Sequence, residues 1–465
     1  MQCCAASMST QALPSPLQPS ARRRRLRSGG RRHAPAALPH AASCDVLALT
    51  NLCVDIVQSV EVLPSDEPAA ARRAAYDALH ASAPPPAQWE VGGATNFAIA
   101  AARLGLRSSC LGHTGRDVYG AFLEGVLRDE HVGLHQLLAD GEPGPPTLLC
   151  WVLIDAHTGA HGARERSHES HVIPSRRTLM PRHLPPAFTS RFDFDPSPLL
   201  GCGASLPPHW VEPLRSTAWL AVNGFAFDDL APPTVLAAVA ACRAAGGRVL
   251  FDAGPRARLL AADVPAGGAA ALRHLMSTAD VLLLTEEEAE ALTGTSEAGD
   301  AAAALLASSR AEDPWVVVKR GANGCTALTR SAAAAAAAEA EAEAEAAAEA
   351  GGREGGGGSG RSLRGSRGGV VSLPAMVVAS VADTVGCGDS FAAAVALGRA
   401  RGGDLRHTLA LANAVGAATA TGRGAGRNVA RVGAVRRLLE EAAMAGGGSD
   451  AEREAAQGAR KLIDF

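Results

Sequence analysis

The sequence predicts an α/β fold in which helices cover both faces of a central, mainly parallel sheet. Apolar residues make up 47% of the 465 residues, enough to bury a large core. Between Ser216 and Lys319, short apolar strands alternate with segments of helical period, as consecutive βαβ units do. Two glycine-rich turns, near Gly92 and Gly386, each precede a run of small apolar residues, which indicates helices that begin at tight turns.

The elements follow in order along the chain. An apolar run over 46–62 predicts the first strand, and small apolar residues over 96–104 predict a helix that Gly105 ends. Further strands are predicted at 108–113, 147–155, 218–222, 248–252, 281–284 and 315–319 and from residue 370. Further helices are predicted at 119–130, 232–245, 269–277, 286–293, 301–308, 389–400, 405–421 and 432–443.

Four segments are predicted to lie outside the folded domain, which then spans 44–443. Residues 1–43 contain seven Arg and no Asp or Glu, a composition typical of an organelle transit peptide. Ser, Ala and Pro before the Arg cluster favour the chloroplast over the mitochondrion, and a disordered basic arm is the alternative. Residues 156–213 show no sustained period and 331–369 are of low complexity, so both are predicted to be insertions. Residues 444–465 are predicted to form a loose polar tail.

Bulk composition limits the classes of partner. The formal net charge is -3 and aromatic residues make up 4%, so neither a basic field nor base-stacking platforms indicate nucleic-acid binding. No run of about 18 uncharged apolar residues predicts a membrane span. The ten cysteines form no Cys-x-x-Cys pair and are expected to be reduced thiols. We therefore expect neither nucleic acid nor membrane as a partner.

The segment Asp383-Thr-Val-Gly-Cys-Gly-Asp-Ser-Phe391 is the strongest local motif. Glycines just before a helix let several backbone N–H groups point to one place, where the helix N-terminus attracts an anion. A carboxylate at Asp389 then lies beside that anion, where a general base could deprotonate an attacking hydroxyl. The alternative is an ordinary Asp cap after a glycine turn.

The segment Gly92-Gly-Ala-Thr-Asn96 is the second motif. Paired glycines allow a ligand to approach the backbone, and Asn96 offers a donor and an acceptor to a hydroxyl. Taken alone, the segment also fits a simple glycine turn before a helix.

Together the two motifs resemble the signatures of the ribokinase-like, PfkB-type carbohydrate kinase family, which includes ribokinase, fructokinase and adenosine kinase. The first signature runs from Gly92 to Gly115 and the second from Asp383 to Leu397. The resemblance covers 44–439 apart from the insertions. It implies a three-layer α/β/α ribokinase-like fold with a small β lid, built from segments near 56–90 and 107–160.

The resemblance also implies ATP and Mg²⁺ as cofactors and assigns roles to individual residues. Asp389 matches the catalytic base, and the anion hole is matched by Gly386, Cys387 and Gly388. Substrate contacts are matched by Asp55, Gly92, Gly93 and Asn96. The ATP site is matched by Lys319, Gly321, Gly324 and Asn413. Glu288 matches the residue that organises Mg²⁺ through water, and Asp383 and Val385 lie in a loop that binds a monovalent cation such as K⁺ in several relatives.

Three positions depart from the family pattern. Cys387 stands where Ala is usual, Thr50 replaces a Gly, and Thr285 replaces the Asn of the Asn-x-x-Glu motif that ends at Glu288. None of them changes the predicted base.

The expected activity is transfer of the γ-phosphate of ATP to a hydroxyl of a small sugar or nucleoside, by a monomer or homodimer. The alternative from another class is a non-catalytic, fructokinase-like scaffold in a plastid complex, since fold does not imply function. A Walker-type ATPase is not expected because Gly321 to Thr326 lacks Gly-Lys-Ser/Thr. A dinucleotide-binding site is not expected either, because the glycine-rich segment Gly422 to Gly426 does not follow a strand.

Overall fold

The computed structural model describes residues 44–49, 51–60, 74, 78, 83–136, 138, 144–155, 206, 208–334, 369–422, 425–445 and 449–464. Within these residues, no helix combines the length and apolar character that crossing a membrane requires.

The strands are β1 Cys44–Leu49, β2 Leu52–Val60, β3 Trp89–Gly93, β4 Ser108–Gly112, β5 Gly133–Gln136, β6 Leu148–Asp155, β7 Thr217–Asn223, β8 Arg248–Asp252, β9 Val281–Thr285, β10 Trp315–Lys319, β11 Cys325–Thr329 and β12 Val371–Leu373. The helices are α1 Ala94–Arg103, α2 Val118–Asp129, α3 Pro208–Arg215, α4 Ala226–Asp229, α5 Pro232–Ala244, α6 Ala257–Ala261, α7 Gly268–Thr278, α8 Glu286–Thr293, α9 Ala298–Ser308, α10 Cys387–Ala400, α11 Leu405–Ala420, α12 Val432–Met444 and α13 Asp450–Lys461.

The main sheet has the strand order β12-β11-β10-β9-β8-β7-β1-β4-β5. Pairing is parallel from β10 to β5 and antiparallel between β10, β11 and β12. The carboxyl ends of the parallel strands therefore meet at one edge, where ligands of open α/β sheets usually bind.

Two apolar cores, one on each face, confirm the predicted three layers. In β1, Val46 and Ala48 belong to one core, and Leu47 and Leu49 belong to the other, because successive strand residues point to opposite faces. Helices α1, α2 and α10 to α13 contribute to the first core, and α3 and α5 to α9 contribute to the second.

The lid is a separate sheet with the order β3-β2-β6. The predicted lid segment 107–160 is only partly correct, because β4 and β5 pair with the main sheet and β6 alone joins the lid. The single strand predicted over 46–62 is likewise two strands in different sheets, with Asn51 between them. Both halves are apolar, so hydrophobicity alone does not mark the point at which the chain changes sheets.

One predicted boundary at an insertion also changes. Helix α3 takes up the last residues of the predicted insertion 156–213, and its Trp210 and Leu214 are fully buried. Residues 156–205, 335–368 and 1–43 lie outside the described part of the chain.

The prediction of a loose tail is wrong for residues 450–461, which form α13. Ser449 caps this helix in a reciprocal capping box with Glu452, an arrangement that satisfies two N-terminal backbone donors. Ala455, Ala456 and Ala459 are buried in the core shared with α11 and α12. These small residues let α13 pack closely although most of its other residues are polar.

Candidate active site

The glycine turn before α10 lies at the edge formed by the carboxyl ends of the parallel strands. Gly386 is the N-cap with φ 74°, a left-handed conformation that favours glycine. Asp389 is therefore in the first turn of α10, near the positive end of the helix dipole. A β-carbon built on Gly388 would lie 3.6 Å from Lys319 Nζ, so the turn faces the end of β10.

The two signature motifs meet at Asp389. Asn96, in the first turn of α1, donates from Nδ2 to Asp389 Oδ2 at 3.1 Å. The other end of the amide is also fixed, because the backbone N–H of Gly426 donates to Asn96 Oδ1 at 2.8 Å. This contact orients the Asn96 amide so that its NH₂ group points to the carboxylate.

The environment of Asp389 raises the pKa of its carboxyl group to about 6. Burial is the main cause, and the charge of Asp252 adds to it. The hydrogen bond from Asn96 and the charge of Lys319 partly offset the rise. Such a group is mostly ionised at neutral pH and still accepts a proton readily, as a general base must.

Lys319 and Asp252 form a buried ion pair next to the turn. Lys319 ends β10 and Asp252 ends β8, and Lys319 Nζ donates to Asp252 Oδ2 at 2.6 Å. Burial lowers the pKa of Lys319, but the charges of Asp252 and Glu288 outweigh this effect and the net pKa is raised. Asp252 Oδ1 is buried and has no hydrogen-bond partner among the described residues.

Glu288 belongs to the same edge of the sheet. It forms a capping box with Thr285 at the start of α8, with Thr285 N donating to Glu288 Oε2 at 2.9 Å. Thr285, which replaces the family Asn, therefore caps the helix. Burial raises the pKa of Glu288 to about 7, the charge of Asp252 adds to the rise, and Lys319 opposes it. In the described part of the chain, no group of three or more His, Cys, Asp or Glu side chains is arranged to hold a metal ion directly.

Asp55 lies on the central lid strand, between Glu90 of β3 and Cys150 of β6. Burial raises the pKa of its carboxyl group to about 7, although hydrogen bonds from Cys53 and Cys150 oppose the rise. Gly92 provides the space for this side chain, since a β-carbon on Gly92 would lie 2.1 Å from Asp55 Oδ1. The charge of Asp389 also raises the pKa of Asp55, so the two carboxylates are close enough to interact.

Gly93 connects the lid to α1. It has φ 64°, and a β-carbon there would lie 2.2 Å from the carbonyl oxygen of Asn51. No larger residue fits this close contact between two chain segments without rearrangement.

The residues matched to an ATP site lie on the β10 to β12 side of the turn. Gly321 and Gly324 belong to the connection between β10 and β11, with φ 55° and 86°. A β-carbon on Gly324 would clash with the backbone of Leu373 and Pro374. Asn413 of α11 is buried and donates from Nδ2 to the carbonyl oxygen of Pro374 at 2.9 Å, so its amide already anchors this segment.

The loop before the turn packs beneath the lid. Asp383 is buried and accepts a hydrogen bond on Oδ1 from Val385 N at 3.0 Å. Val385 packs in a small apolar cluster with Val152 of β6 and Ala425. The loop that carries Asp383 and Val385 therefore contacts both the lid and the 425–428 turn.

Sequence reasoning missed two residues of this site, Asp252 and Gly426. Asp252 had a signal, because a lone carboxylate ending a buried apolar strand lies at the functional edge of a parallel sheet. Gly426 had none, because its contact with Asn96 joins residues 330 positions apart.

The structure therefore places a carboxylate at a helix N-terminus, beneath a lid and on a parallel sheet covered on both faces, which is the arrangement that the resemblance to ribokinase-like kinases implies. The pfkB family carbohydrate kinase model matches residues 80–167, 204–346 and 357–431. The chain therefore belongs to the pfkB family of carbohydrate kinases. A fructokinase from Klebsiella pneumoniae is 28% identical over 240 residues, which cover 51% of this chain and 66% of that protein.

Solved structures share the fold at low sequence identity. An E. coli protein described as a ribokinase II, in complex with ATP and Mg²⁺, is 19% identical with a TM-score of 0.56, covering 86% of this chain and 99% of that chain. Sinorhizobium meliloti adenosine kinase is 18% identical with a TM-score of 0.56, and Arabidopsis thaliana ribokinase complexed with ribose and ATP is 17% identical with a TM-score of 0.54. Each of these two covers 85% of this chain and 99% of its own.

Proposed function

We propose that this protein transfers the γ-phosphate of ATP to a hydroxyl of a small sugar or nucleoside, with Asp389 as the general base. One observation carries the proposal: Asp389 lies at the N-terminus of α10, is oriented by Asn96, and has a pKa of about 6. Family membership and the ATP complexes of structural neighbours support the same activity.

In the proposed mechanism, Asp55 and Asn96 orient the substrate under the lid. Asp389 takes the proton from the substrate hydroxyl as its oxygen attacks the γ-phosphorus, and ADP leaves on the opposite side in an in-line displacement. A general base contributes about 10²–10⁴-fold to the rate. The backbone amides of Gly386 to Gly388 and the α10 dipole would stabilise the charge on the phosphoryl oxygens.

The carboxylates at this edge fit Mg²⁺, which prefers oxygen ligands and retains several waters. Glu288 and the unpartnered Asp252 Oδ1 would hold the hydrated ion, and bound Mg²⁺ would neutralise charge on the ATP phosphates. We also propose that a monovalent cation such as K⁺ binds at the Asp383 and Val385 loop, and that Lys319, Gly321, Gly324 and Asn413 border the nucleotide.

The test is ADP release from ATP with fructose, ribose and adenosine as the first acceptors, in Mg²⁺ with and without K⁺. The proposal predicts acceptor-dependent ADP release by the wild-type protein that Asp389→Asn abolishes. If protein shown to be folded by circular dichroism releases no ADP with any of these acceptors, the result would favour the non-catalytic scaffold.

We further propose that residues 1–43 direct the protein to the chloroplast. Their Arg-rich, acid-free composition supports this. A fluorescent protein fused to residues 1–43 should enter chloroplasts of transfected plant cells, and uniform cytosolic or mitochondrial fluorescence would contradict it. Size-exclusion chromatography with light scattering distinguishes the proposed monomer from a homodimer.

A further inference from the structure

The ammonium group of Lys319 lies beside the helix turn that would bind the transferred phosphoryl group in the proposed kinase reaction. The α10 turn is the anion site of that reaction, and a β-carbon on Gly388 would lie 3.6 Å from Lys319 Nζ. The ammonium therefore lies next to the first turn of α10, at the helix end that attracts anions. A cation there acts on the same oxygens as the helix dipole.

Lys319 is held in place by one partner and keeps donors for another. Its ammonium carries three donors, and Asp252 Oδ2 is the acceptor for one of them in the described part of the chain. The side chains of Lys319 and Asp252 are 13% and 8% exposed, so neither has much freedom to leave. Asp252 therefore fixes the direction of the ammonium without using all of its hydrogen-bonding capacity.

The surrounding charge also indicates a ligand. Asp252, Glu288 and Asp389 all act electrostatically on this one lysine. A pair that served only to join β8 to β10 would need one carboxylate for one ammonium. Here the ammonium is the one cationic side chain among three described carboxylates, beside a helix N-terminus that attracts anions.

We propose that Lys319 is a catalytic residue that contacts the γ-phosphoryl group of ATP during transfer, and that Asp252 is the residue that positions it. This rests on the proposed kinase function and adds a fixed cation to it. Negative charge spreads over the phosphoryl oxygens in the transition state, and a preorganised donor costs no reorganisation at that moment.

Nucleotide binding separates this proposal from the function on which it rests. Dissociation constants for ADP and for the non-hydrolysable ATP analogue AMP-PNP are measured by calorimetry in Mg²⁺, for wild type and Lys319→Met. Wild type is expected to bind both, and its preference for AMP-PNP is expressed as the ratio of the two affinities. Lys319→Met should keep the ADP affinity and lower this ratio about tenfold, the size of one charge-assisted hydrogen bond.

Two further variants test whether the change in nucleotide preference comes only from a disturbed structure. Lys319→Met combined with Asp252→Asn removes both members of the ion pair, so the Asp252 carboxylate is not left buried without its partner, and it should show the same loss of preference. Arg243→Met breaks the ion pair with Asp280 at the opposite edge of the sheet and should keep the wild-type preference.

Turnover gives the second readout if an acceptor is found. Lys319→Met should lower kcat by about 10²–10³-fold, as removal of one transition-state donor does, with little change in the KM for the acceptor. A folded Lys319→Met or double variant that keeps the preference for AMP-PNP would overturn the role of Lys319 and leave the kinase proposal intact. Wild type that binds neither nucleotide would overturn both.

Discussion

The two edges of the main sheet, formed by the amino ends and the carboxyl ends of its parallel strands, differ in how their charged side chains are paired. At the amino ends of the strands, Arg107 pairs with Asp45 at 2.6 Å and Arg243 pairs with Asp280 at 3.0 Å. Each of these bases has its own acid, partly in contact with solvent. At the carboxyl ends, the carboxylates around Lys319 outnumber it and the pKa values of Glu288 and Asp389 are raised.

This difference shows which edge of the sheet has groups that can exchange protons near neutral pH. A one-to-one ion pair holds two segments together and leaves neither group ready to exchange a proton. Glu288 and Asp389, which are buried near one ammonium, hold their protons more tightly than free acids do, which brings their titration close to neutral pH. The same sheet therefore has a structural edge and a chemical edge.

The largest expected effect is at Asp389. Asp389→Asn keeps the shape of the side chain but cannot accept the proton, so kcat should fall by about 10²–10⁴-fold while AMP-PNP binding and folding survive. Steady-state kinetics and calorimetry measure these quantities. Asp280→Asn, at the opposite edge, is the matched control and should leave kcat near wild type. An Asp389→Asn enzyme with near-normal turnover would refute the assignment of the base.

The next effect concerns pH. The base works only when ionised, so kcat should fall as pH falls through the pKa of Asp389, about 6. The hydrogen bond from Asn96 lowers this pKa. Asn96→Ala should therefore move the acid limb of the pH–kcat profile to higher pH, by up to about one unit. A limb that stays in place or moves to lower pH would show that Asn96 does not tune the base.

A smaller effect is expected on stability at the chemical edge. Because the folded pKa of Glu288 is raised to about 7, the folded state binds the extra proton, and the stabilisation from that proton is lost as pH rises from about 4.5 to 7. Glu288→Gln has no proton to lose, so it should flatten the dependence of the unfolding free energy on pH by about 1–3 kcal/mol. Glu290→Gln, exposed on the same helix, should leave the slope unchanged in urea titrations at several pH values. An unchanged slope in Glu288→Gln would contradict the raised pKa.

The smallest effect is expected at the structural edge. The Arg107 side chain is 59% exposed, and exposed ion pairs contribute about 0.2–1 kcal/mol. Arg107→Met should reduce the unfolding free energy by no more than this in a urea titration and should leave kcat unchanged. A large loss of activity would mean that the two edges are coupled, and would contradict the division into a structural edge and a chemical edge.

Most of the fold could be predicted from sequence because its signals are local. Buried strands such as Val281–Thr285 are continuous apolar runs, and Gly386 followed by Asp389 marks a helix start from residues close in sequence. Sheet membership is not local. β4 and β5 were assigned to the lid because nothing within them shows that Ser108 pairs with Val46 rather than with a lid strand.

The candidate site divides in the same way. Asp389, Asn96 and Asp55 could be found because they belong to motifs, and the structure brings the three together. The pairing of Lys319 with Asp252 joins residues 67 positions apart. It could not be predicted because it depends on the strand order β8-β9-β10, for which the sequence contains no local signal. For α13, the pair Ser449 and Glu452 is a local signal of a helix start, but the polar composition of the segment favours a loose tail.

The way the lid is attached limits how it can move. The chain first enters the lid after Asn51 and leaves it through Gly93, and these two points are joined by a hydrogen bond from Ala94 N to Asn51 O at 2.9 Å. It returns to the lid in β6, which pairs with β2. A lid movement that carried Asp55 away from Asp389 would therefore have to break this hydrogen bond or bend the chain beyond it.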